Sequence, residues 1–224
     1  IGLGDEVITT SHTFIATIDQ IVAVRATHVL VDIGDDGLIN REAIRDAITD
    51  KTKAIVFVHL EGKTCNMDFV GTMYGDNRVF SSTSPKIYII EDAAQAIGAD
   101  SYRREEDQGV IYSQCQKVGA IGDMGCFSFY PAKILGSVGN AGAVTTNNDV
   151  LAEKLRMLRC NYNIGKNPDI ENAEYGGNYE PDNLQAAILN FKLKYLFDRL
   201  ARRKEIAEKY DNAFQDLPVT LPPK

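Results

Sequence analysis

Cysteine is scarce: Cys65, Cys115, Cys126 and Cys160 are the only four in 224 residues. Their spacings match no CxxC pair and no zinc pattern. A disulfide framework is therefore not indicated, and reduced thiols in a cytoplasmic protein fit best. The three histidines, His12, His28 and His59, are too scattered to suggest a metal site. Long hydrophobic runs are missing too. No stretch approaches the roughly 20 apolar residues of a membrane span, and the first residues show no signal-peptide pattern. Basic residues are outnumbered, 24 Lys and Arg against 31 Asp and Glu, for a net charge of -7. That balance argues against nucleic acid as the main partner, because binding a phosphate backbone needs a basic surface. A local basic pocket for one phosphate is still allowed. No initiator methionine precedes Ile1, and the chain closes on Leu221-Pro222-Pro223-Lys224. An interior piece of a longer protein is expected.

What is present is ordinary globular sequence, 44% hydrophobic and 25% charged, which rules out disorder or a coiled-coil rod for most of the chain. A chain this long can bury about 70% of its unfolded surface. Strand-like and helical patterns alternate. Strands are expected over 6–10, 28–32, 53–59, 87–90, 124–130 and 141–146. The runs Ala54-Ile55-Val56-Phe57-Val58 and Ile87-Tyr88-Ile89-Ile90 are apolar on both faces, as in a parallel sheet covered by helices. Helices are expected over 14–24, over 41–48 with Asn40 as N-cap, over 149–158, and as one long element over 182–211. Residues 71–85 and 103–116 read as loops or insertions, and 161–181 as irregular. This order predicts an α/β layered fold with a mainly parallel sheet. Ligands of such folds lie beyond the carboxyl ends of the strands.

Three segments sit at such places. Glu91-Asp92-Ala93-Ala94-Gln95-Ala96 directly follows a strand; Asp92 there is either a helix N-cap or a carboxylate facing the ligand crevice. Phe127-Ser128-Phe129-Tyr130-Pro131-Ala132-Lys133-Ile134-Leu135-Gly136 ends a strand in a proline turn and carries one lysine among bulky neighbours. Such a lysine either snorkels to solvent or is held where its amine can form a Schiff base. Gly136-Ser137-Val138-Gly139-Asn140-Ala141-Gly142-Ala143 is a glycine-rich turn, either a close approach to a ligand or a plain tight turn.

Taken in order with Gly177-Asn178-Tyr179 and Asp182-Asn183-Leu184-Gln185-Ala186-Ala187-Ile188, these segments resemble the DegT/DnrJ/EryC1/StrS sugar aminotransferases, pyridoxal-phosphate enzymes of fold type I. Thr13-Phe14-Ile15-Ala16-Thr17 supports the resemblance, which runs from about Gly4 to about Tyr210. It implies the large domain of a three-layer α/β/α fold with a mainly parallel sheet, covering 1–216 and incomplete at its N-terminus, with 217–224 starting a small C-terminal domain. It implies pyridoxal 5'-phosphate as cofactor and a role for each matching residue. Lys133 would bind the cofactor covalently and shuttle a proton; Asp92 would pair with the ring nitrogen and keep it protonated. Phe14 would stack on the ring, Gln95 would pack near the ring and its hydroxyl, and Ser128 would bind the phosphate. Asn178 would reach the phosphate of a neighbouring subunit, making the site shared in a homodimer.

The implied reaction moves an amino group from L-glutamate or L-glutamine to a nucleotide-linked keto-sugar, in amino-sugar, polysaccharide or antibiotic-sugar biosynthesis. Alternatives are a cyclitol ketone as acceptor, or a cofactor-binding regulator or degenerate paralogue. Dehydratase relatives carry histidine in place of the lysine, so Lys133 disfavours dehydration. Three positions depart from the pattern. Glu180 stands where the family has arginine, Asn140-Ala141-Gly142 replaces an acidic residue and two glycines, and Glu61 replaces an aromatic. The phosphate-binding Gly-Thr or Gly-Ser turn would precede Ile1.

Overall fold

The computed structural model describes residues 1–67, 86–107, 110–160 and 176–222. The expected loop over 71–85 and most of the irregular region over 161–181 therefore lie outside the described residues. Eight strands are seen: β1 (Glu6–Thr10), β2 (Thr27–Val31), β3 (Thr52–Val58), β4 (Tyr88–Asp92), β5 (Asp100–Asp107), β6 (Val110–Lys117), β7 (Met124–Ser128) and β8 (Gly142–Thr145). The helices among the described residues are α1 (Ile15–Ala23), α2 (Arg41–Ala47), α3 (Asp149–Arg159), α4 (Asn183–Leu193) and α5 (Leu196–Phe214), with a 3-10 turn at Leu60–Gly62.

Six strands form one sheet in the order β2-β1-β3-β4-β7-β8. All its pairings are parallel except β7 with β8. Because side chains alternate along a strand, the central strands split into two apolar faces. One face carries Ile8, Ile55, Phe57 and Ile89, which pack with Ile44 of α2 and with Val31, Leu38, Met67 and Ile121. The opposite face carries Val7, Ala54 and Val56, which pack with Ile21 of α1. Both faces of the sheet are thus covered, which accounts for the unbroken apolar runs of β3 and β4.

Asn40 caps α2 as expected, its side chain accepting from Ala43 N. Asn148 does the same for α3, accepting from Val150 N and Leu151 N. Two expectations are corrected. The described residues of the stretch 103–116 are not a loop but belong to an antiparallel strand pair, in which β5 pairs with β6 from Asp100↔Lys117 to Asp107↔Val110. Cross-strand backbone pairing carries that strand pair, which its polar composition concealed. The long helix over 182–211 is two helices that break at Lys194 and Tyr195, where Tyr195 N bonds back to Lys192 O. Periodicity of apolar residues continues across such a break, so the pattern alone reads as one helix.

Candidate active site

Asp92 is the last residue of β4, half-buried, at the carboxyl edge of the sheet. It is not a helix N-cap. The chain beyond it makes two tight turns, with Ala96 N bonded to Ala93 O and Ala99 N to Ala96 O. Asp92 Oδ1 accepts from Ala94 N at 3.1 Å, and Oδ2 accepts from the Thr17 hydroxyl at 2.7 Å. Two positions from Ile90, it shares the face covered by α1, which is how Thr17 in the first turn of that helix reaches it. Thr17 Oγ1 in turn lies 2.8 Å from Thr13 Oγ1. This chain of hydroxyls brings the Phe14 segment to Asp92. Phe14 is 70% exposed at the N-cap of α1.

On the neighbouring strand β7, Asp92 stands in register with Cys126. Burial first, and then the Asp92 and Glu91 carboxylates, push the Cys126 thiol up to about 11, so it stays uncharged near neutral pH. Ser128, two residues on, lies on the same face at the end of β7. The chain then turns through Lys133, whose N bonds to Tyr130 O. It returns through Ser137, which bonds to Phe129 O by both its N and its hydroxyl.

This lysine loop is held from outside by α4. Lys192 Nζ donates to Gly136 O at 2.6 Å, and Gln185 Oε1 accepts from Val138 N at 3.1 Å. Gly139 packs so closely against the Gln185 amide that a Cβ would collide with it. The Leu184-Gln185-Ala186-Ala187 motif therefore has a local reason: it braces the loop carrying Lys133. Lys133 is itself half-buried, and its Nζ makes no hydrogen bond or ion pair with a described residue.

Gln95 sits in the turn after β4. Its Oε1 accepts from Glu61 N at 2.8 Å and holds the 3-10 turn in which Glu61 has φ 56°. That left-handed conformation is rare outside glycine and has to be held by its surroundings. Asn178 is exposed and forms an isolated bridge with Cys160 at the end of α3. The reversed charge at Glu180 is answered locally: its Oε1 lies 3.2 Å from Arg159 Nη2.

One arrangement was not anticipated. Glu91 and His59 are both 0% exposed, and Glu91 Oε2 lies 3.1 Å from His59 Nε2. His59 Nδ1 accepts from Cys65 N, so the ring proton sits on Nε2 and is donated to Glu91. The same carboxylate accepts from Gly119 N at 2.8 Å, Ile121 N at 2.8 Å and Gly122 N at 2.7 Å. Burial pushes the Glu91 carboxyl up, but the donors, His59 foremost, outweigh it and hold the group below the usual carboxylate range. The approach requires glycine. A Cβ on Gly125, the residue in register with Glu91, would overlap Gly119, and one on Gly122 would overlap Ile89 O. The signal in the sequence was a charged residue inside an apolar strand, with glycines at 119, 122 and 125.

Among the described residues, no helix is long and apolar enough to cross a membrane. The model of the DegT/DnrJ/EryC1/StrS aminotransferase family matches residues 1–224. The chain is 42% identical over 230 residues to dTDP-3-amino-3,6-dideoxy-alpha-D-galactopyranose transaminase of Aneurinibacillus thermoaerophilus, covering 100% of this chain and 57% of that protein. The crystal structure of S. venezuelae DesV in complex with a ketimine intermediate superposes with a TM-score of 0.79 at 36% identity, over 99% of this chain and 55% of that one. NtdA of Bacillus subtilis with bound cofactor PMP superposes with a TM-score of 0.77 at 31% identity, over 97% of this chain and 45% of that one. The chain thus spans about half the length of the proteins it matches.

Proposed function

Because the chain belongs to the DegT/DnrJ/EryC1/StrS aminotransferase family, we propose that it forms the cofactor-binding part of a pyridoxal-phosphate aminotransferase. The amino donor is L-glutamate or L-glutamine, and the acceptor is a nucleotide-linked keto-sugar. One observation carries the reading. At the carboxyl edge of the sheet a braced carboxylate, Asp92, faces the strand end that leads through Ser128 to an unpaired amine, Lys133.

That donor set suits the cofactor. Transamination needs an amine to hold an aldehyde, an acid to hold a proton on a ring nitrogen, and donors for a phosphate; Lys133, Asp92 and Ser128 supply one of each. When bound, pyridoxal phosphate supplies the aldehyde and the electron sink. The chain's own residues do the rest. Asp92 would keep a proton on the ring nitrogen, its Oδ1 and Oδ2 each held by one donor, Ala94 N and the Thr17 hydroxyl. Lys133 Nζ would take the α-proton of the amino donor and pass it to the carbon that enters as the cofactor's aldehyde, on a loop held by the brace from Gln185 and Lys192. Ser128 would hold the phosphate, and Phe14 would pack on the ring. Asn178, exposed, would serve the site of a second subunit in a homodimer.

The visible spectrum of the full-length protein loaded with pyridoxal phosphate tests this. A yellow band from the lysine-bound cofactor that L-glutamate or L-glutamine bleaches is expected, after which keto-sugars should restore it. A yellow band unmoved by either donor would point to a cofactor-binding regulator instead, and no band at all would remove the role given to Lys133.

A further inference from the structure

Deepening the reading above, on which it rests, we propose that Thr17 is a positioning residue. Its hydroxyl holds the Asp92 carboxylate in the orientation a ring nitrogen needs and, through Thr13, ties the segment bearing Phe14 to that carboxylate.

The argument begins with hydrogen counting. A threonine hydroxyl has one hydrogen, and a carboxylate oxygen only accepts. The 2.7 Å contact to Asp92 Oδ2 therefore uses the Thr17 hydrogen. The 2.8 Å contact between Thr13 and Thr17 must then run from Thr13 into Thr17. The direction is Thr13 to Thr17 to Asp92, spanning 75 residues of sequence in its second step.

Local structure points the same way. A helix start favours Ser, Thr, Asp or Asn at the N-cap, and an apolar residue there costs about 1 kcal/mol. Here the N-cap of α1 is Phe14, with no side-chain cap hydrogen bond, although hydroxyls are available at 13 and 17. The Thr17 hydroxyl bonds to Asp92 instead, and the Thr13 hydroxyl bonds to Thr17. A rule of local stability is broken where a function is served, and a large aromatic is left 70% exposed at the start of the helix that carries Thr17. With Ala94 N on Oδ1 and Thr17 on Oδ2, the carboxylate cannot rotate without losing a donor. Removing Thr17 leaves only the local turn contact.

The test compares Thr17→Val, which keeps shape and loses the hydroxyl, with Thr17→Ser, which keeps the hydroxyl, in the full-length protein. Two quantities are read: the dissociation constant for pyridoxal phosphate, and the 15N chemical shift of the ring nitrogen in 15N-labelled cofactor. A hydrogen bond to a charged group is worth about tenfold or more in binding. Thr17→Val should weaken binding by about that factor and move the shift toward the unprotonated nitrogen. Thr17→Ser should restore both, and Thr13→Val should give a smaller change of the same sign. Should Thr17→Val fold poorly, Thr17→Ala gives the same reading without a branched side chain in the first turn. A purely structural role would lower melting temperature and leave the 15N shift alone; that outcome, or an unchanged dissociation constant, overturns the inference. If the unsubstituted protein binds no cofactor, the functional reading itself fails and takes this inference with it, whereas normal binding with an insensitive Thr17 removes the inference alone.

Discussion

Glu91 and Asp92 are adjacent carboxylates on one strand that end up in opposite situations. Glu91 points into the face packed by α2, is fully buried, and has all four of its lone-pair directions occupied by His59, Gly119, Ile121 and Gly122. Asp92 points to the face of α1, is half-buried, and has two donors and two directions to spare. A saturated carboxylate can only hold structure; an unsaturated one at the strand edge can still bind something. The two are also joined through the backbone. His59, bonded to Glu91 by its ring, donates its own N–H to Asp92 O at 3.0 Å. The buried side of the strand thus fixes the frame in which the open side works.

The sharpest way to break this comparison is to exchange the two roles. Glu91→Ala strands three buried donors and the part-buried Gly122 N and should cost about 3–5 kcal/mol of stability, as for other buried polar partners left alone. Asp92→Ala should cost about 1 kcal/mol or less in urea unfolding and abolish the response of the cofactor spectrum to glutamate. Equal unfolding midpoints for the two variants would end the distinction.

A smaller effect comes from pH. Glu91 is held below its ordinary range in the fold, while in the unfolded chain it titrates near about 4.3. Its contribution is therefore fully present above about 4.3 and is lost as pH falls through the lowered folded value. Unfolding midpoints measured downward from pH 6 should fall in the parent, and Glu91→Gln should flatten that fall even though it begins from a lower stability. A parallel decline in both would show that other groups carry the acid sensitivity.

The smallest effect is expected at an exposed ion pair. Arg159 and Glu180 are each about half exposed. Solvent screens such pairs, so Arg159→Ala should change stability by about 0.2–1 kcal/mol at most. A larger loss would mean that this pair braces the Asn178 segment.

Much of the frame was legible in the residues. Asn40 was read as a cap because short polar side chains close helix starts, and it is one. β3 was read as buried on both sides because its apolar run is unbroken, and helices cover both of its faces. Asp92 and Lys133 stand out by their places after strands, whereas Ser128 follows from the resemblance; in the structure Asp92 and Ser128 lie on one face of neighbouring strands and the lysine loop comes next. Phe14 came from resemblance alone, and only the Thr13–Thr17 hydroxyls show what ties it to Asp92. The pairing of β5 with β6 was hidden by its charges, and the break at Lys194 by a periodicity that runs through it. His59 was set aside as scattered, since nothing near it in sequence announces a partner 32 residues away.

By itself the sequence determined what depends on near neighbours: the period of each element, the caps, the turn that carries Lys133, and the alternation that sends Glu91 and Asp92 to opposite faces. Only the tertiary structure decided which face meets donors and which stays open. That choice is made by contacts spanning 28 to 75 residues, from Gly119 to Glu91 and from Thr17 to Asp92. Local pattern does not encode such contacts, because they exist only once parallel strands in register bring distant segments to the same edge.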